Sequence, residues 1–438
     1  MPKITIIGAG SLVFTRRLVW DILSFPELSE SKICLMDIDE ERLDLIARLA
    51  QKMVKDKEWG AKIEATSNRQ EALSGADYVI CTIEVGGLDA YLSDIQIPDK
   101  YGINQNVGDT IGPGGVFRAL RTVPVLLDIC RDMEKICPDA YLLNYTNPMA
   151  INCWAMNRVS KIKKVGLCHS VQGTARQLAS YMQIPYEELS YWVAGINHMA
   201  WFLELKWKEK DAYPILREVA KDKDLWKRVI GGYKKFSMRD TVRFKIMEHF
   251  GYFVTESPYH MSEYVPYFRK TKKQMEELGV YYRWWLDFKK APDTQTDEIK
   301  EQIAGRKEIK MKKSDEYAPQ IIYSLYTGIP CRINGNVENK GLITNLPQGS
   351  CVEVPCLVDK EGIHPCFVGD LPPQCAALNR TNINVQELAV EAALTGRKDA
   401  ALQAIALDPL TSSILTLDEI KKMVDEMFKA EREYLPQF

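Results

Sequence analysis

Three features of the sequence predict an α/β protein built on a doubly wound parallel sheet. Apolar, β-branched runs alternate with helical patterns from Lys3 to Leu167. The first run ends in a glycine turn, Gly8-Ala9-Gly10-Ser11. The second ends in an acidic stretch, Met36-Asp37-Ile38-Asp39. Strands that alternate with helices pair in parallel and are covered on both faces. After about Trp201 the rhythm is lost, and a C-terminal α+β domain with a small antiparallel sheet is predicted. The expected division is residues 1–195 and 196–438.

Composition narrows the class. The chain has 438 residues, 46% apolar and 26% charged, which is ordinary for a globular enzyme of two or three domains. A net charge of −2 offers no basic field for nucleic acid or an anionic membrane. No apolar run is long enough to span a bilayer. Eleven cysteines without a CxxC zinc pattern, in a chain that enters a strand at once, predict a reduced, cytoplasmic protein.

The first strand, Lys3–Ile7, leads into the Gly8–Ser11 turn and a helix to about Leu23. A strand, a glycine turn and a helix start receive a pyrophosphate on backbone N–H groups. The third glycine of the full fingerprint is absent, with Val13 in its place. Lys32–Met36 is the second strand. Asp37 at its end is placed to hold a ribose hydroxyl pair, which favours NAD over NADP. Together these predict a Rossmann-type sheet. A helix from Glu40 follows, then strands at Lys62–Ala65 and Tyr78–Ile83. Thr82 lies at the ligand-facing end of the latter. Residues 102–115 hold five glycines, which would let the backbone approach a ligand closely. Asp109 lies among them, and a helix is expected from about Val116 to Cys137. Tyr141–Asn144 and Lys164–Leu167 are the next strands. Gly8, Gly10, Ser11, Asp37, Thr82, Asn147 and Cys168 would then line one rim of one sheet.

Beyond Trp201 the aromatic density rises. Residues 251–268 carry Tyr252, Tyr259, Tyr264 and Tyr267, most of them expected in packing. Residues 287–316 are charged and read as exposed helices. Cys331–Pro355 alternates strand-like pieces with Asn/Gly turns. Helices are expected at Val385–Leu394 and Ala400–Leu407. Thr416 and Glu419 form a capping box before the last helix.

Cys168 and His198 stand apart as candidate metal ligands. A soft sulfur and a borderline imidazole suit a divalent transition metal. The chain has only five histidines, and His169 is another of them.

These runs resemble glycoside hydrolase family 4, the NAD- and Mn-dependent glycosidases. The resemblance covers the whole chain. It rests on GAGS at 8–11, NVGDTIGPGGVFRALRT at 106–122, NYTNP at 144–148, CHSV at 168–171, GINHMAWF at 195–202 and ESPYHMSEYVPYF at 256–268. It implies NAD, a Mn2+ or other divalent ion on Cys168 and His198, and a need for reducing conditions. It also implies oxidation at C3 of the sugar, removal of the C2 proton, elimination at C1, addition of water and return of the hydride. The C2 base is implied to be Tyr259 or Tyr264. His169 stands where some relatives carry the leaving-group acid, or binds a sugar hydroxyl. Asn147 and Asp109 are the other implied substrate contacts. Ser170 after Cys-His resembles the α-galactosidase members. The implied substrate is therefore a small α-galactoside, with α-galacturonides, α-glucuronides or α-glucosides as alternatives. A homodimer or homotetramer is implied. A 2-hydroxyacid dehydrogenase would share the fold, but Cys168-His169 matches its catalytic pattern poorly.

Overall fold

A computed structural model describes residues 1–221, 240–281 and 294–438. Six parallel strands form its first half: β1 (Lys3–Ile7), β2 (Lys32–Met36), β3 (Lys62–Thr66), β4 (Tyr78–Cys81), β5 (Tyr141–Asn144) and β6 (Lys163–Leu167). They lie in the order β3-β2-β1-β4-β5-β6. This is the doubly wound order, in which the chain reverses between β1 and β4 and opens a crevice at the strands' carboxyl ends. Every residue of β1 and β4 is buried, as expected of strands covered on both faces.

The antiparallel strands are present, but they do not form a separate sheet. β7 (Leu189–Ile196), β8 (Met199–Trp207), β9 (Lys210–Asp211), β10 (Cys331–Glu338), β11 (Cys351–Asp359) and β12 (Gly362–Pro365) extend the parallel one. The junction is β6 with β10, where Leu167 faces Gly335 and Gly166 faces Asn336. Gly166 is needed there, because a Cβ would meet Met149 Sδ at 2.5 Å and Cys153 Sγ at 2.6 Å. The sheet then runs β10-β11-β7-β8, so the rim carrying Cys168 and the hairpin carrying His198 belong to one layer.

Several element boundaries differ from expectation. The helix after the glycine-rich run begins at Gly112 rather than Val116 and continues to Ile136. The backbone approach that the glycines permit is internal. A Cβ on Gly114 would lie 2.6 Å from the Gly108 oxygen, and one on Gly115 would lie 2.5 Å from the Thr110 carbonyl carbon. A helix at Gly87–Lys100 was not read from the sequence, because its first turn is Gly-Leu-Asp-Ala and Pro98 interrupts its end. The helix expected at Val385–Leu394 spans Pro373–Thr395. Its amino-terminal half carries Asn379 and Asn382, buried polar residues that broke the apolar pattern. Of the charged stretch 287–316, residues 287–293 lie outside the described residues. Thr294–Ile303 is helical, and 307–316 has no regular secondary structure. The capping box at Thr416 and Glu419 is present as read.

Candidate active site

Gly8 adopts φ +86°, and a Cβ there would lie 2.7 Å from the Thr82 carbonyl carbon. The turn after β1 is thus pressed against the end of β4, and only glycine fits. Thr82 ties the same turn by donating its hydroxyl to the Gly8 carbonyl at 2.9 Å. Asp37, expected at a ribose, already accepts the Gly10 N–H at 2.6 Å and the Asp39 N–H at 2.9 Å. It therefore shapes the glycine turn as well as ending β2. Ser11 precedes the helix Leu12–Leu23, and its side chain makes no cap.

Across the crevice, β7 and β8 are joined by a two-residue turn, Asn197-His198. His198 sits at φ +62°, a left-handed conformation that costs on the order of 1–3 kcal/mol for a non-glycine residue. The turn carries the His198 imidazole to Cys168 at the end of β6, with Sγ and Nε2 3.3 Å apart. Two donors on one ion, at about 2.3 Å for sulfur and about 2.1 Å for nitrogen, sit roughly 3.1–3.6 Å apart. The pair is therefore spaced as adjacent ligands. Burial pushes the His198 imidazole down to about 4, which keeps it neutral and ligand-ready. Burial, and then the nearby Glu353 carboxylate, push the Cys168 thiol well above its ordinary value. A divalent cation reverses that balance and favours the thiolate. The two donors and their protonation fit a soft-to-borderline divalent ion. Among the described residues no group of three or more His, Cys, Asp or Glu side chains is arranged to cage a metal. Two protein ligands leave coordination positions open for substrate oxygens.

Around this pair lies a charged network, only parts of which were legible in one dimension. His260 packs edge-on against His198, with ring centroids 4.4 Å apart. Its Nδ1 lies 2.7 Å from the Glu256 carboxylate, and its Nε2 lies 3.9 Å from Asp109. Burial opposes the charge on His260, but Glu256 and Asp109 outweigh it and hold the group at about 9. Burial likewise raises Asp109, yet His260, Arg118 and His198 bring it below the usual carboxylate range. Asp109 also accepts a hydrogen bond from Asn147 Nδ2 at 2.8 Å, so two expected substrate contacts meet. Glu256 is a second strained residue, at φ +74°. Its backbone is pinned by Thr174 Oγ1, 3.1 Å from its N–H, and by the buried Arg243 guanidinium at its carbonyl.

The two candidate tyrosines part company. Tyr264 is 2% exposed, donates to Thr110 Oγ1 at 2.8 Å, and has its ring 6.5 Å from that of His198. Burial holds its phenol well above 10. Tyr259 is half-buried against the core and lies nearer Arg269. His169 is next to the metal pair but largely exposed, with Nδ1 3.7 Å from the Glu316 carboxylate. The sequence singled out His260 within the run 251–268 without giving it a role, and it gave no sign of Glu256, Glu263, Glu316 or Glu353 as site residues. His260 carried a signal, being one of five histidines and four residues after Glu256. Glu353 carried none. It reads as one more residue of an apolar strand, yet it is fully buried, and burial pushes it up to about 8 against the opposing effect of Asn336.

The chain as a whole matches a known family. The family 4 glycosyl hydrolase model covers residues 3–184, and the model of that family's C-terminal domain covers 193–411. The chain belongs to glycosyl hydrolase family 4. It is 42% identical over 441 residues to an α-galactosidase of Bacillus subtilis (strain 168), covering all of both chains. It is 39% identical over 448 residues to an α-galactosidase of Rhizobium meliloti (strain 1021), covering 100% of this chain and 89% of that one. The fold of this family 4 hydrolase also matches the crystal structure of a 6-phospho-α-glucosidase from gut microorganisms in complex with NAD and Mn2+. That match has a TM-score of 0.83 at 21% identity, over 99% of each chain.

Proposed function

We propose that this family 4 hydrolase cleaves small α-galactosides, with NAD and a divalent metal such as Mn2+ as cofactors. The observation that carries this reading is the Cys168–His198 pair, 3.3 Å apart at the rim that also bears the Gly8–Ser11 turn. Ser170 after Cys-His and the 42% identity to an α-galactosidase support the sugar. When bound, NAD supplies reversible hydride removal at C3 and the ion supplies the Lewis acidity that makes the C2 proton removable.

The chain's own residues account for the rest. The Gly8–Ser11 turn brings the amino end of the helix Leu12–Leu23 to face a pyrophosphate, and Asp37 stands at the adjoining ribose position. Cys168 and His198 hold the ion. Asp109 and Asn147, hydrogen-bonded to each other, orient sugar hydroxyls. Tyr264 is the better-placed base for the C2 proton. Its own proton leaves through Thr110, which donates to the Asp109 carboxylate at 3.3 Å, and the phenolate so formed, favoured by a nearby positive charge, takes up the substrate's C2 proton. His169, on the open side with Glu316 behind it, faces the leaving group. The reading divides the work between residues 1–195, which hold the nucleotide, and 196–438, which bring His198, His260 and the tyrosines. The eleven free cysteines support a reduced, cytoplasmic setting. Among the described residues no helix is long and apolar enough to cross a membrane. Exposed apolar side chains such as Phe367 and Leu417 support a homodimer or homotetramer.

The test is hydrolysis of 4-nitrophenyl α-galactoside, α-glucoside, α-galacturonide and α-glucuronide, with and without NAD+, Mn2+ and thiol. Cleavage of the galactoside only with all three is the expected result. Cleavage without NAD+ would overturn the mechanism, and preference for another glycoside would reassign the sugar.

A further inference from the structure

We propose that a cavity beside the catalytic residues is the subsite for the leaving-group sugar, a neutral hexopyranose unit; the proposal rests on the glycosidase reading above. The cavity has a volume of about 250 Å3 and is lined by Gln172, Arg176, Tyr191, Asp315, Arg332 and Asn334, among others. That is below the size typical of drug-like ligand sites and on the scale of one sugar ring.

Its position places it on the leaving-group side. Gln172 lies one helical turn beyond His169, and Arg176 one further turn along the same face. Gln172 Nε2 donates to the Asp315 carbonyl at 3.0 Å. The next residue, Glu316, meets His169 Nδ1 at 3.7 Å. One short loop thus closes both the cavity and the His169 corner of the active site. A glycoside seated at Cys168 and His198 continues past His169 into this space.

Its chemistry is that of a polyol site. Gln172 and Asn334 are 5% and 4% exposed, and both are clamped by their amide N–H groups, Asn334 to the Val193 carbonyl at 2.9 Å. The carbonyl oxygen of Gln172 has no partner among the described residues. Arg176 is neutralised by Asp315 at 2.5 Å and stacks on Tyr186, with its guanidinium 4.2 Å from the ring centre. Arg332 lies over Tyr191 and makes no ion pair among the described residues. Planar amides, a carboxylate and one uncompensated guanidinium offer alternating donors and acceptors to vicinal hydroxyls. A phosphate or carboxylate ligand would call for more than one uncompensated cation.

The experiment compares Arg332→Met with the unaltered enzyme, both loaded with NAD+ and Mn2+, on two substrates. One is a disaccharide of galactose α-linked to glucose, and the other is 4-nitrophenyl α-galactoside, which lacks a second sugar. The expected result is a KM about tenfold higher for the disaccharide, with the nitrophenyl substrate changed less than twofold. Equal loss on both, or loss on neither, would overturn the subsite while leaving the glycosidase reading intact. A change of oligomeric mass in the variant, seen by light scattering, would also overturn it by making the cavity a subunit contact. If the unaltered enzyme cleaved neither substrate, the glycosidase reading would fail. The subsite would then be judged by saturation-transfer NMR with methyl α-glucoside. Signal lost in the variant would support it, and equal signal or none would overturn it.

Discussion

Cys168 carries two opposing demands. In the protein alone its thiol is held neutral by burial and by Glu353, yet as a ligand it must be a thiolate. Cys168→Ser removes the soft donor without changing the shape of the site. Turnover should fall at least 100-fold and Mn2+ affinity with it, while NAD+ affinity, read by fluorescence titration, stays within about twofold. Unchanged turnover would remove Cys168 from the ligand set. The tyrosine assignment is equally sharp. Tyr264→Phe should abolish exchange of a C2 deuterium with solvent and lower kcat by at least 100-fold, while Tyr259→Phe should change kcat less than fivefold. The reverse pattern would move the base to Tyr259. At this scale the sequence singled out Cys168 and His198 but not their surroundings. His260 and Glu256 were within a run already singled out, but nothing local said that their side chains would meet Asp109, some 150 positions away, at His198.

Elements place these residues by steric necessity. The turn after β1 fits under β4 only because position 8 lacks a Cβ and tolerates φ +86°. Gly8→Ala should weaken NAD+ binding about tenfold or more. It should also destabilise the protein by about 1–3 kcal/mol, since backbone rather than a flexible side chain must give way. A thermal melt with and without NAD+ separates the two effects. The loop at 105–110 is held differently. The buried Glu263 carboxylate accepts the N–H groups of Asn106, Val107 and Gly108 at 2.6, 3.0 and 3.1 Å. Glu263→Gln replaces one acceptor oxygen by a donor facing those N–H groups. It should cost about 2–4 kcal/mol and loosen Asp109 and Thr110, raising KM as well as lowering stability. A variant with the parent's melting temperature and KM would show that the loop holds itself. All six parallel strands could be read from sequence: β1, β2, β4 and β5 from apolar runs set by burial on both faces, β6 from its apolar end, and the exposed edge strand β3 from its place in the strand–helix alternation. The helix Gly87–Lys100 was missed because glycine, proline and small residues do not announce a helix that tertiary contacts then support.

Over the whole molecule, distant segments are tied through a buried ionic knot. Arg121 donates to Asp94 and, at 2.8 Å, to Glu431, and all three side chains are fully buried. The knot joins the helix Gly112–Ile136, the helix Gly87–Lys100 and the residue that ends the last helix, Leu417–Ala430. Arg121→Met leaves two buried carboxyls without their cation, so a loss of about 3–5 kcal/mol is expected in a denaturant melt. A loss below about 1 kcal/mol would mean that the carboxyls are already neutral and simply share a proton. The sequence by itself determined the family and the parallel strands, and it singled out Cys168 and His198, which the fold brings to within 3.3 Å. These depend on local pattern, on residue chemistry and on short motifs that stay legible in one dimension. Tertiary structure alone decided that the antiparallel strands continue the parallel sheet, that Asp37 shapes the glycine turn, and that His260, Glu256 and Asp109 gather around His198. It also decided which tyrosine neighbours His198, and where a second sugar would find a cavity. Each of these depends on which residues far apart in the chain are brought to within a few ångströms, and burial then sets their charge.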